Sequence, residues 1–382
     1  LAVGLDNLLA GRRQPTVVYA PPARVSVDGV ATTRDRLLIT TLDNVKSRLY
    51  RAGFADGAWG ALEEVELPGL GAARIQETSD EEDLFFFTYE DFITPDSLYL
   101  STGGDGVRLK SLPAFFETDG IAVSQHEATS KDGTRIPYFF VAPPGFKADG
   151  KTPTLLYAYG GFEVSQMPSY SATVGTAWLE RGGAFVVANI RGGGEFGPEW
   201  HQAAVQENHI RNFEDFIAVA EDLIATGRTS AEHLGIMGGS QGGLLVGGPF
   251  TMRPDLFNAA VSQVPLLDMR RYHKLLAGAS WVSEYGDPDN PEHWAYIQTW
   301  SPYHLLTADA EYPEVFFWTT TRDDRVHPGH ARKMVAKMAD MKHPVLYYEN
   351  TEGGHGSGST NAQRAQIYAL QFSYLWDKLG AR

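Results

Sequence analysis

The stretch Leu234-Gly235-Ile236-Met237-Gly238-Gly239-Ser240-Gln241-Gly242-Gly243-Leu244-Leu245-Val246 decides how the chain is read. An apolar run of strand character meets a glycine-flanked serine, and small and apolar residues of helical character follow at once. This is the strand–turn–helix context of a nucleophile elbow, and Gly238-Gly239-Ser240-Gln241-Gly242 fills the G-x-S-x-G pattern. The reason is steric. A serine on so sharp a turn needs neighbours without a Cβ, both to permit the strained backbone and to let strand and helix approach. A phosphate-binding loop of the Walker type would carry Lys before its Ser or Thr; here Gly239 stands there instead.

A serine hydroxyl is a weak nucleophile until a base takes its proton, and that base needs a third group to orient it. Working outward toward the C-terminus, the chain offers Phe316-Phe317-Trp318-Thr319-Thr320-Thr321-Arg322-Asp323-Asp324-Arg325-Val326, an apolar strand running into two carboxylates. About thirty residues on, Leu346-Tyr347-Tyr348-Glu349-Asn350 runs into Gly353-Gly354-His355-Gly356, a histidine among glycines after a strand. Serine, then acid, then histidine is the chain order of α/β-hydrolases. Of 11 histidines, His355 alone combines that order, a loop after a strand and glycines on both sides. His327 and His330 lie beside the acid, too near in sequence to be oriented by it. The remaining histidines, His201 and His209 among them, read as surface or structural. No histidine spacing suggests a metal site, and no cofactor is expected.

Before the elbow, Ile136–Val141 and Thr154–Tyr159 read as strands and Asn212–Thr226 as an amphipathic helix. Apolar strands alternating with such helices predict a mostly parallel sheet covered on both faces. The first hundred residues differ. Arg36–Leu42 followed by Ser47–Arg51 is echoed by Asp83–Tyr89 followed by Asp96–Leu100, about 48 residues on, close to the spacing of four-stranded propeller blades. Leu112–Gly120 reads as a linker. The expected organisation is an incomplete β-propeller, its last two or three blades, over residues 1–118, then an α/β-hydrolase domain over residues 119–382. A closed propeller needs about four to eight blades, so the chain is expected to be the C-terminal part of a longer protein. That it opens on Leu1, with no basic start or cleavage site in Leu1–Ala10, agrees.

A formal net charge of −15 argues against nucleic acid and gives no reason to expect an anionic membrane surface. No apolar run approaches a membrane span. The absence of cysteine excludes disulfides, thiolate metal sites and cysteine nucleophiles. A monomer is expected, with the cytoplasm favoured and the periplasm open because the expected N-terminal part, with any targeting signal, lies outside this chain.

From about Ile121 onward the chain closely resembles the prolyl oligopeptidase family. The resemblance is carried by Tyr157-Ala158-Tyr159-Gly160-Gly161-Phe162, Ala188–Gly197, Gly238–Gly243, Ser280-Trp281-Val282-Ser283-Glu284-Tyr285-Gly286, Asp323-Asp324-Arg325-Val326 and Gly353-Gly354-His355-Gly356, in that order. It implies a triad of Ser240, Asp323 (in preference to Asp324) and His355, with oxyanion donors in the Tyr159 hydroxyl and the Gln241 backbone N–H. It implies that Trp281 is a platform for a substrate proline, that Phe162, Leu266, Tyr285 and Val326 complete an apolar pocket, and that Arg325 holds a peptide carbonyl. A flat, donor-poor proline ring suits aromatic walls. The family often has Asn where this chain has Gln241, a change that leaves a backbone donor intact. The implied activity is hydrolysis of short peptides after proline. The alternatives are cleavage after Lys or Arg, which would want acidic residues in the pocket, and an inactive relic, which would be expected to have lost a triad member.

Overall fold

A computed structural model describes residues 1–380. The chain divides into two compact units, Leu1–Pro113 with Met167–Tyr170, and Ala114–Gln166 with Ser171 onward. The division thus falls at Pro113 rather than after residue 118. Phe116 explains the difference: its ring is buried against Gly175 of the second unit, where a Cβ would lie 1.9 Å from it.

The first unit holds two antiparallel sheets. One joins Val25–Thr32, Arg36–Asp43, Lys46–Ala55, Ala58–Trp59 and Glu63–Val65; the other runs Ala72–Thr78, Phe85–Glu90, Ser97–Ser101 and Val107–Ser111 in order. Alternation does the sorting, because successive side chains leave a strand on opposite faces. Phe85, Phe87 and Tyr89 point inward, and Phe87 stacks on Tyr99 at 5.0 Å. Leu38, Leu49 and Val65 of the other sheet join the same core. These are two blade-like sheets, the lower of the two counts expected.

The second unit is built on one eight-stranded sheet in the order Ala122–Thr129, Arg135–Ala142, Ala184–Ala188, Thr154–Tyr157, Leu234–Gly239, Ala259–Gln263, Val315–Thr320, Val345–Asn350. The first two pairings are antiparallel and the rest parallel. Both faces are apolar, as such a sheet requires. Leu234, Ile236, Val186 and Leu156 face the helices Ile210–Ala225 and Gln241–Met252, where Phe213, Phe216, Ala220 and Leu223 recur at helical spacing. On the opposite face the helix Asn361–Leu379 lies so close that a Cβ on Gly235 would meet Leu379 at 2.6 Å. Because six neighbouring strands run parallel, the loops after them gather at one edge, the place where open α/β sheets hold their ligands. Tyr159, Ser240, Leu266, Asp323 and His355 all lie in such loops or turns.

Candidate active site

Ser240 caps the helix Gln241–Met252 with φ 59° and ψ −117°, a left-handed backbone that a non-glycine residue adopts only under constraint. The constraint is visible. Its N–H donates to Gln263 O at 2.9 Å, and its own carbonyl accepts from Gly243 and Leu244. A Cβ on Gly238 would lie 2.3 Å from Gly242 O, and one on Gly243 2.7 Å from the Pro265 Cβ. The two glycines therefore permit the close approach of strand, turn and helix that the motif predicts.

Asp323 and His355 follow adjacent strands, whose last paired residues are Thr320 and Asn350. His355 Nδ1 lies 2.8 Å from Asp323 Oδ2, and Asp323 Oδ1 accepts the N–H groups of Arg325 and Val326, each at 2.9 Å. The carboxylate is thereby fixed in orientation and holds the ring from one nitrogen. Asp324 takes a different part: it is exposed and accepts the His355 backbone N–H at 3.3 Å, which holds its carboxyl below the usual range. Among the described residues no hydrogen bond joins the His355 ring to Ser240.

Tyr159 follows its strand into the loop Gly160–Glu163. Burial raises its phenol above the ordinary pKa, the Ser240 side chain opposes that rise, and the Glu284 carboxylate adds to it. The hydroxyl thus keeps its proton. The loop is tied down from three sides. Asn212 Nδ2 donates to Gly160 O at 2.5 Å and to Arg191 O at 2.9 Å, Glu163 N–H donates to Gly192 O, and Gln241 Nε2 donates to Gly160 O at 3.1 Å. Arg191 is itself buried and paired with Asp215 at 2.6 Å and Asp132 at 2.5 Å, so the glycine-rich Arg191–Gly197 run is a structural turn braced against this loop.

Phe162 and Trp281 are half-buried, whereas Leu266, Val326 and Tyr285 are buried; all pack in or on one apolar cluster. Tyr285 meets Phe162 edge to face at 5.8 Å and donates its hydroxyl to Gln241 Oε1 at 2.5 Å. It backs the Phe162 ring from within. The Arg325 side chain is exposed.

Sequence reasoning assigned no part to Glu284 or Asn212, nor to the Gln241 side chain, and read His201 as surface or structural. Glu284 is buried, accepts the Phe162 N–H at 2.9 Å and faces His201 Nε2 at 2.8 Å. Glu284 stands inside the quoted 280–286 stretch, but nothing local marks its partners. His209 and His330 are buried structural histidines, pushed down to about 4 by burial. His273, Asp287 and Asp289 approach one another closely enough for a metal, yet Lys274 sits 2.7 Å from Asp289 and fills the cationic place.

Sequence profiles of the prolyl oligopeptidase family and of its N-terminal β-propeller domain match residues 168–382 and 10–103. An uncharacterized peptidase from Sinorhizobium fredii is 48% identical across 99% of this chain and 53% of its own length. A prolyl endopeptidase from Elizabethkingia meningoseptica is 37% identical across 96% of this chain and 54% of its own. The solved structure of a post-proline cleaving enzyme from Rickettsia typhi superposes with a TM-score of 0.90 at 38% identity, covering 98% of this chain and 55% of that one. The chain spans about half the length of the curated relatives it matches. Among the described residues no helix is long and apolar enough to cross a membrane.

Proposed function

This chain belongs to the prolyl oligopeptidase family of serine peptidases, and from that premise we propose that it hydrolyses short peptides on the carboxyl side of proline through an acyl-enzyme on Ser240. Ser240 Oγ attacks the scissile carbonyl carbon while His355 takes its proton, with Asp323 holding the ring. The Tyr159 hydroxyl and the Gln241 N–H, at the start of its helix, receive the charge that develops on the oxygen. The C–N bond then breaks as His355 returns the proton to the leaving amine. Water, activated by the same histidine, releases the peptide acid.

One observation carries the reading. The helix Val282–Tyr285, which begins on Trp281, is bonded both to Gln241, the residue after the serine, and to the Phe162 backbone. Two half-buried aromatic rings are thereby tied to the serine turn, and flat apolar walls suit a proline ring. A second reading, cleavage after Lys or Arg, draws on Glu284, a carboxylate beside Phe162; that carboxylate is already engaged by the Phe162 N–H and His201.

The test is turnover of matched chromogenic peptides with proline, alanine or arginine before the leaving group, by the parent protein and Ser240→Ala. Proline peptides are expected to be cleaved fastest, and the variant is expected to be inactive. Fastest cleavage after arginine would establish the second reading. Undiminished turnover in Ser240→Ala would overturn the serine assignment, and an inactive parent would favour the relic.

A further inference from the structure

Phe162 and Glu163 are consecutive non-glycine residues at φ 56° and 59°. Left-handed backbone of this kind persists only where surroundings over-determine it, and an aromatic ring that forms a pocket wall has to be held there. Besides the bonds that tie the loop at Gly160 and Glu163, Phe162 itself is held by two neighbouring residues on one turn of helix. Tyr285 supports the ring, edge to face at 88°. Glu284 supports the backbone, its Oε1 accepting the Phe162 N–H at 2.9 Å across 122 residues of sequence.

The acid is an unusual choice for this duty. Burying a carboxylate is costly unless every oxygen is satisfied, and a stronger, charge-assisted bond to the N–H is what it offers over a neutral acceptor. The structure supplies the compensation. Glu284 Oε2 faces His201 Nε2 at 2.8 Å, and the Gln202 side-chain amide lies 3.2 Å from His201 Nδ1. With that amide donating to Nδ1, the ring proton of a neutral His201 sits on Nε2, toward the acid. The order is therefore Gln202, His201, Glu284, Phe162.

We infer that Glu284 is a positioning residue which sets the pocket's choice of substrate side chain by fixing the backbone of Phe162, with His201 holding the carboxylate in place. This rests on the proposed assignment of Phe162 to the pocket, although not on which side chain the pocket prefers. Trp281 begins the helix that carries Glu284, so the same bond sets the separation of the two aromatic walls. Losing it releases Phe162 from one wall and blunts discrimination, while the serine, its acid and its histidine stay in place.

The experiment measures kcat/KM for the proline, alanine and arginine peptides with the parent, Glu284→Ala, Glu284→Gln, Phe162→Ala and the double variant Glu284→Ala/Phe162→Ala, each checked for a cooperative melt. The parent's ranking alone tests the proposed function. The ratio of its best peptide to alanine tests Glu284, whichever peptide is best. That ratio is expected to fall about tenfold in Glu284→Ala and to recover largely in Glu284→Gln, whose amide oxygen still accepts the Phe162 N–H while its NH2 donates to His201 Nε2, the imidazole proton moving to Nδ1 and the Gln202 amide turning to accept it. In the Phe162→Ala background, adding Glu284→Ala is expected to change the ratio no further, as for residues acting through one contact. Where Glu284→Ala does not melt cooperatively, Glu284→Asp replaces it; one methylene shorter, it keeps the charge and cannot span both partners. A ratio unchanged in the folded variant, a failure of glutamine to restore it, or an additive double variant would overturn the inference.

Discussion

Tyr285→Phe removes one oxygen atom from a fully buried ring and tests whether the Gln241 side chain organises the oxyanion loop. Tyr285 and Gln241 are both 0% exposed. Phenylalanine keeps the edge-to-face contacts that Tyr285 makes with Phe162, His209 and Tyr272, at 5.8, 5.2 and 5.4 Å. What is lost is the 2.5 Å donation to Gln241 Oε1. A buried acceptor left without a donor costs about 1–3 kcal/mol, which for a unit of this size lowers Tm by roughly 2–10 °C. The kinetic effect follows from the other end of the same amide. Gln241 Nε2 bonds Gly160 O, next to Tyr159, so under the proposed oxyanion role of Tyr159 a loosened amide misplaces the hydroxyl that would meet the charge of the transition state. kcat is expected to fall about tenfold with KM little changed. Adding Gln241→Leu removes both members of the buried polar pair, so stability is expected to recover in part while kcat stays low. Thermal melts and steady-state kinetics of the single and double variants are the assay. A Tyr285→Phe protein with parental Tm and kcat would refute the reasoning, and a kcat restored by Gln241→Leu would show that the amide does not position the loop.

Tyr159→Phe is expected to lower kcat by about 10²-fold or more, as for removal of one oxyanion donor, with substrate affinity nearly unchanged; a parental rate would show that its hydroxyl has no such role. Trp281→Ala is expected to reduce kcat/KM for proline peptides by about tenfold to a hundredfold, and for alanine peptides by less, through lost apolar area and stacking; a surviving proline preference would refute the platform. Glu195 is buried, and burial raises its carboxyl from 4.5 to about 7. The folded state therefore keeps its proton up to about pH 7 while the unfolded chain releases it near pH 4.5, so this contribution to stability is present below 4.5 and is lost as pH rises to 7. Glu195→Gln is expected to gain stability relative to the parent between pH 5 and 8, on the order of 1–3 kcal/mol; parallel stability curves for the two proteins would contradict it.

What the sequence disclosed, it disclosed through short-range geometry. The elbow was legible because the glycines that admit Ser240 are its immediate neighbours in the chain. The alternation of Phe85, Phe87 and Tyr89 announced a sheet face for the same reason, since a strand's two-residue period is written locally. Asp323 and His355, whose side chains the structure pairs at 2.8 Å, could be singled out because each follows its own apolar strand. The braces were not legible. Glu284 and Phe162 lie 122 residues apart, Glu284 and His201 83, and Asn212 and Gly160 52. No local pattern distinguishes an asparagine that faces two loops from one that faces solvent. The domain boundary shifted for a similar reason, because a linker-like composition conceals the one ring, Phe116, that is buried at Gly175.

Asn212 makes the helix Ile210–Ala225 a gauge for two loops at once. One amide nitrogen carries two hydrogens and spends them on Gly160 O and Arg191 O, carbonyls that follow different strands. An aspartate there would have the same shape and no donor, turning two attractions into two repulsions. Anyone grafting the Tyr159 loop onto another hydrolase scaffold would therefore have to transplant this helix turn as well. A library built only from residues lining the site would miss the position on which the loop's height above the sheet depends.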